Sequence, residues 1–258
     1  MPKIPVGLQL YTLRDATGED FIGTLKKIAA MGYEVVEFAG YGDVPAKEMA
    51  SVLDGLGLKT SSAHIGLPFG EPEKIGDELK KHLEYNHELG TKYIISPFAP
   101  IEQFTQPEEF TNFYAQLQQI GEEVKKNGFQ YGYHNHAFEL EILRNGKPML
   151  DELFASVSAD NLIVELDLYW VQKAGLNPVE YLQQYKGRTP LVHVKDMTGD
   201  DRKYFAEVGH GIIDFSSIFN IAEEIGIEYY IVEQDSCERD PLESVKMSID
   251  YLKSIGIA

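Results

Sequence analysis

The chain has 258 residues, 43% hydrophobic and 25% charged, with 23 Lys+Arg against 41 Asp+Glu and a formal net charge of −18. A protein that grips nucleic acid or an anionic membrane needs a basic face; no basic run here exceeds a Lys-Lys pair, so neither partner is expected. The lone cysteine, Cys237, excludes an internal disulfide or a cysteine zinc cluster, no stretch is apolar enough to span a membrane, and MPKIPVGLQLYTLRD lacks the apolar core of a secretory signal, so a cytoplasmic location is expected.

Apolar, β-rich runs predict strands near 6–12, 34–39, 59–65, 92–97, 129–136, 162–168, 190–195 and 229–235. Between them, sets such as Phe21, Leu25, Ile28 and Ala29, or Phe113, Leu117, Ile120 and Val124, recur at helical spacing. Gly32, Gly57, Gly90, Gly128 and Gly226 each close a helical pattern just ahead of a strand, as a left-handed cap requires. Strand starts recur roughly every 25–40 residues, the length of a βαβ unit. Eight such units without an internal linker predict one (β/α)8 TIM barrel domain over 1–258. A doubly wound sheet would carry a glycine-rich phosphate loop after its first strand, and LQLYTLRDATGED has none.

Side-chain alternation then separates two faces in the last four strands. Phe129, Tyr131 and Tyr133 oppose Gln130, Gly132, His134 and His136; Val164, Leu166 and Leu168 oppose Ile163, Glu165 and Asp167. Val192 and Val194 oppose Leu191, His193 and Lys195; Tyr230 and Val232 oppose Ile231, Glu233 and Asp235. Strands wrapped by helices turn their apolar face outward, so the ionisable groups face inward and gather at one mouth of the barrel. His134, Asp167, His193 and Glu233, one from each strand, are the expected ligands of a single divalent ion, with manganese, cobalt, zinc and magnesium all open. Separate salt bridges, such as Glu165 or Asp167 with Lys195, are the plainer alternative.

Other strand-end residues are expected at the substrate: Gln9, Glu37, His64, His136, Trp170 and His210, with Tyr11 and Arg14 equally suited to packing. His82 and His87, in DELKKHLEYNHELG, read as a solvated helix surface.

The strings GLQLYTLRD, YHNHAFE, VELDLYWVQKAG, LVHVKD, EVGHGIIDF and YYIVEQD, in this order, resemble the xylose isomerase-like TIM barrels, which include sugar phosphate isomerases/epimerases and inosose dehydratases. The resemblance implies a divalent ion held through Glu, Asp, His and Glu, and so Asp167, His193 and Glu233 for the last three positions. The first departs: His134-Asn135-His136 stands where the family reads Glu-Asn-His. Family epimerases exchange a proton between two metal-bound glutamates, and of that pair only Glu233 remains. Lys195, Glu165 and His136 are the candidate replacement bases.

The expected activity is a metal-dependent isomerase or epimerase that acts on a sugar or keto-sugar through an enediolate. A lyase or dehydratase of keto-sugars or inososes, which shares the first proton abstraction, is the alternative; a non-catalytic sugar-binding barrel is a third. A DNA-repair nuclease conflicts with the charge and with Trp170, which stands where an Asp-x-x-His motif would supply a further ligand. The expected partner is a small carbohydrate, and homo-oligomerisation is left open.

Overall fold

The computed structural model describes residues 3–258. Eight parallel strands close into a barrel in sequential order: β1 (Val6–Gln9), β2 (Val35–Ala39), β3 (Lys59–His64), β4 (Tyr93–Ser96), β5 (Gln130–His134), β6 (Ile163–Asp167), β7 (Leu191–Val194) and β8 (Tyr229–Val232), with β8 pairing back on β1. The helices that follow each strand are α1 (Phe21–Met31), α2 (Ala46–Leu56), α3 (Pro72–Leu89), α4 (Pro107–Lys126), α5 (Met149–Ser156), α6 (Pro178–Gln184), α7 (Phe215–Ile225) and α8 (Pro241–Ser254). All eight expected strands are present, and the five expected glycines leave their helices at positive φ, from 67° at Gly90 to 94° at Gly32. Among the described residues no helix is long and apolar enough to cross a membrane.

The outward residues of the strands, such as Leu8, Phe38, Ile94, Leu166, Val192 and Val232, join Leu25, Leu53, Leu79, Leu117 and Ile249 of the helices in one buried apolar layer. Inside the barrel, Tyr93, Ile95, Ile163 and Leu191 form a separate apolar floor, with Tyr229 packed against it. The floor is tight. A Cβ on Gly132 would fall 2.5 Å from Ile95 Cδ1 and 2.6 Å from Ile163 Cδ1. The inward positions above this floor are polar, so the sheet's period-two alternation delivers ionisable groups to the carboxyl-terminal end alone.

Several strands stop short of the expected ends. After Gln9 the chain enters a 3-10 turn (Leu10–Leu13), because the Gln9 side chain accepts the Tyr11 N–H at 3.0 Å and turns the backbone. Asp167 ends β6 by capping the next short helix (Leu168–Lys173) through a bond from Trp170 N at 3.1 Å. Lys195, Glu233 and Asp235 therefore lie just beyond the ladder rather than within it. The loop after β7 is gathered by buried Asp196, whose carboxylate accepts N–H groups of Met197, Gly209, Gly211 and Ile213 at 2.8–3.1 Å.

Candidate metal centre

Gln9, Glu37, His134, Glu165, Asp167, His193, Lys195 and Glu233 are all buried at the carboxyl-terminal end of the barrel. His64 is the more open member, with 9% of its side chain exposed. Two sets of donors form around His193, because its two ring nitrogens point to different walls. Nδ1 lies 2.8 Å from Glu233 Oε2 and 3.9 Å from Asp167 Oδ2, and His134 Nε2 lies 3.3 Å from the same Asp167 oxygen. Nε2 lies 2.7 Å from Glu37 Oε2 and 3.5 Å from Glu165 Oε2, with His64 Nε2 at 3.2 and 2.6 Å from these two carboxylates. Within each set of four, one donor atom per residue lies within 4.8 Å of the others.

The first set, His134, Asp167, His193 and Glu233, suits a divalent ion. Two imidazole nitrogens and two carboxylate oxygens match the preferences of transition ions. The engagement of His193 Nε2 by Glu37 is the outer contact that usually fixes a ligating imidazole, and it turns Nδ1 toward the other three members of the first set. Glu37 is itself held by Gln9 Nε2 at 2.7 Å and by the Ser62 hydroxyl. Asn135 locks the partner strand: its side chain accepts the Asp167 N–H at 2.9 Å and faces the Asp167 carbonyl at 3.5 Å.

Lys195 settles into the same set. Its buried ammonium lies 2.9 Å from Asp167, 2.7 Å from Glu233 and 2.7 Å from Asp235, which takes up all three of its N–H donors. Burial opposes the charge, yet Asp167, Glu233 and Asp235 outweigh it and raise the ammonium well above its usual range. In this structure Lys195 makes the ion pair that was the plainer alternative for Asp167, and adds Glu233 and Asp235 to it. Burial likewise pushes Asp167 up, but Lys195 and His134 hold it at about 2. His64 is pulled down by burial and carried up to about 10 by Glu37 and Glu165.

His136 stands at the rim, its ring stacked on Phe138 at 5.5 Å and tilted against Trp170 at 5.4 Å, with exposed Phe98 edge-on at 6.4 Å. Burial, with help from His134 and Lys195, lowers it to about 3, so the ring is neutral. Tyr11 is exposed, with the Arg14 guanidinium 4.4 Å above its ring. His210 is not brought into the cluster: it is exposed and lies 6.5 Å from the Tyr251 ring of α8, because Asp196 turns that loop outward. His82 and His87 lie on α3, outside the barrel. Asn135, Ser62 and Asp235 were not singled out from sequence; Asn135 sits inside the His-Asn-His string, and that adjacency was the available signal.

Fold and site together define a (β/α)8 barrel with imidazoles and carboxylates gathered at its strand ends. A family model described as xylose isomerase-like TIM barrel matches residues 25–255, and the chain belongs to that family. It is 24% identical to an inosose dehydratase of Clostridium beijerinckii, over 96% of this chain and 94% of the relative. It is 25% identical to a 2-oxo-tetronate isomerase of Haemophilus influenzae, over 90% and 93%. The structure of a sugar phosphate isomerase/epimerase from Parabacteroides distasonis superimposes with a TM-score of 0.86 at 27% identity, covering 99% of both chains. The named relatives are enzymes of isomerisation and dehydration.

Proposed function

We propose that the protein is a divalent-metal-dependent enzyme of the cell interior that removes a proton next to the carbonyl of a keto-sugar or inosose. His134, Asp167, His193 through Nδ1, and Glu233 would hold the ion. When bound, it supplies Lewis acidity toward a carbonyl or hydroxyl oxygen.

The observation that carries the reaction type is His64. Its Nε2 is shared by Glu165 and Glu37, which hold the ring as an imidazolium, an acid able to give a proton to a departing hydroxyl, while Glu165 Oε1 beside it has no hydrogen-bond partner and can take one. Glu233, the remaining glutamate of the usual pair, is already shared by His193 and Lys195. The acid and the base are therefore neighbours 2.6 Å apart rather than two opposed glutamates, which suits dehydration or isomerisation on one face and not two-base epimerisation. In dehydration the C–H bond breaks with its proton passing to Glu165, the C–O bond at the neighbouring carbon breaks, and the hydroxide departs as water with the proton given by His64, so that Glu165 and His64 exchange one proton to reset the site. Dehydration is the first reading, supported by similarity to inosose dehydratases over nearly the whole chain. Isomerisation is the second, supported by the 2-oxo-tetronate isomerase.

The test incubates metal-loaded enzyme in D2O with inososes and keto-sugars, and follows deuterium uptake and loss of water separately. Water loss without deuterium in recovered substrate identifies the dehydratase; deuterium at the new C–H position of an isomer identifies the isomerase. His64→Gln should lower kcat by about 10²-fold or more with little change in KM. Full activity in His64→Gln overturns this assignment.

A further inference from the structure

Glu139 lies in the short helix Phe138–Glu141 that follows the β5 turn, and it is fully buried although nothing in the proposed chemistry uses it. Its Oε1 accepts the Tyr133 hydroxyl at 2.9 Å, and its Oε2 accepts the backbone N–H of His136 at 2.7 Å. The carboxylate thus closes a ring from β5 through the turn that carries His134 and His136. His136 Nδ1 points back into the protein, buried and without a hydrogen-bond partner, 4.0 Å from Glu139 Oε1. A lone pair on that nitrogen would face a carboxylate oxygen; a proton there faces an anion favourably.

We infer that Glu139 is the positioning residue of the mouth: it holds His136 as the Nδ1–H tautomer, so that Nε2 presents an unprotonated acceptor to a substrate hydroxyl. Stacking of the ring on Phe138 fixes its plane, and the bond from Glu139 to the His136 backbone fixes its height in the turn. The recognised chemistry is a hydroxyl donor, as on a polyol ring, rather than an anionic or acceptor group. The hydroxyl rests on the mouth being the substrate face, whereas the tautomer does not.

The experiment is long-range 15N–1H NMR on histidine-labelled protein without metal or substrate, near pH 8.5 so that Glu139, which burial raises to about 7, is ionised. Wild type is expected to show His136 protonated at Nδ1. In Glu139→Gln the amide oxygen must take the His136 N–H, which turns its NH2 toward Nδ1; the two ring-nitrogen signals should exchange identities. A merely structural role for Glu139 leaves the tautomer unmoved. A wild-type ring protonated at Nε2 overturns the inference, as does an unchanged Nδ1–H signal in folded Glu139→Gln. The wild-type spectrum decides even where the variant fails to fold. Because neither metal nor turnover enters, failure here is distinct from failure of the dehydratase or isomerase reading.

Discussion

His193 on β7 and Glu37 on β2, 156 positions apart in the sequence, meet across the barrel with Nε2 2.7 Å from Oε2. This contact gives the imidazole its direction: with Nε2 engaged by a carboxylate, Nδ1 is turned toward Asp167 and Glu233, where a bound divalent ion would displace its proton. Glu37→Gln leaves one oxygen to serve Gln9, Ser62 and His193 together. Divalent-ion affinity, measured by calorimetry with manganese or zinc, should fall by about 10–100-fold. Unchanged affinity would show that Nδ1 is oriented by Glu233 alone.

Lys195 is the counter-ion of three carboxylates, and its removal strands them. Lys195→Met should lower stability by about 3–5 kcal/mol in chelator, measured by urea unfolding. Added divalent ion should restore part of the loss, because it answers the same two charges on Asp167 and Glu233. Equal stability of variant and wild type in chelator would contradict the buried ion-pair reading.

Glu139 predicts a pH effect on stability. Burial raises its carboxyl to about 7 in the folded chain from an ordinary 4.5, outweighing the bonds from Tyr133 and His136 that favour the anion, while Glu102 adds repulsion. Between those values the folded state binds more protons than the unfolded one. The contribution is therefore full below pH 4.5 and is lost as pH rises through about 7, with a slope of at most about 1.4 kcal/mol per unit. Glu139→Gln should flatten that fall in urea-unfolding free energies between these limits. A parallel slope in both proteins would exclude Glu139 as its source.

Gly132 tests the barrel floor. Adding one methyl in Gly132→Ala drives it against the Ile95 and Ile163 termini and should cost about 1–3 kcal/mol, read as a lowered Tm. Ile95→Val in the same chain should recover part of the loss, since the two changes share one space. Simple additivity of the two losses would refute the shared contact.

The barrel was legible because period-two alternation and glycine stops are local signals: Val192 and Val194 against Leu191 and His193 state which face meets the helices. The same alternation placed Glu37, His64, Glu165 and Glu233 inward. It does not say how far a side chain reaches across the barrel, so the meeting of His193 with Glu37 was invisible, as was the three-way grip on Lys195. Loop direction was equally hidden. His210 and Trp170 both follow barrel strands, but the Asp196 tether sends the first outward while the Asp167 cap turns the second over the mouth. Glu139 and Asn135 act mainly through backbone groups; adjacency to His134 and His136 was the one signal for Asn135, and nothing in the sequence marked Glu139.

Trp170 is the chain's one tryptophan, and it stands beside His136 with the Lys195 ammonium 5.5 Å from its ring centre. The protein therefore carries a native fluorophore at the mouth of the barrel. Excited at wavelengths where its 15 tyrosines are dark, it reports the polarity and charge of this one place. Titrations of ions, polyols or sugars can be read from emission without label, coupled assay or knowledge of the true substrate, which turns ligand discovery into a question of optics.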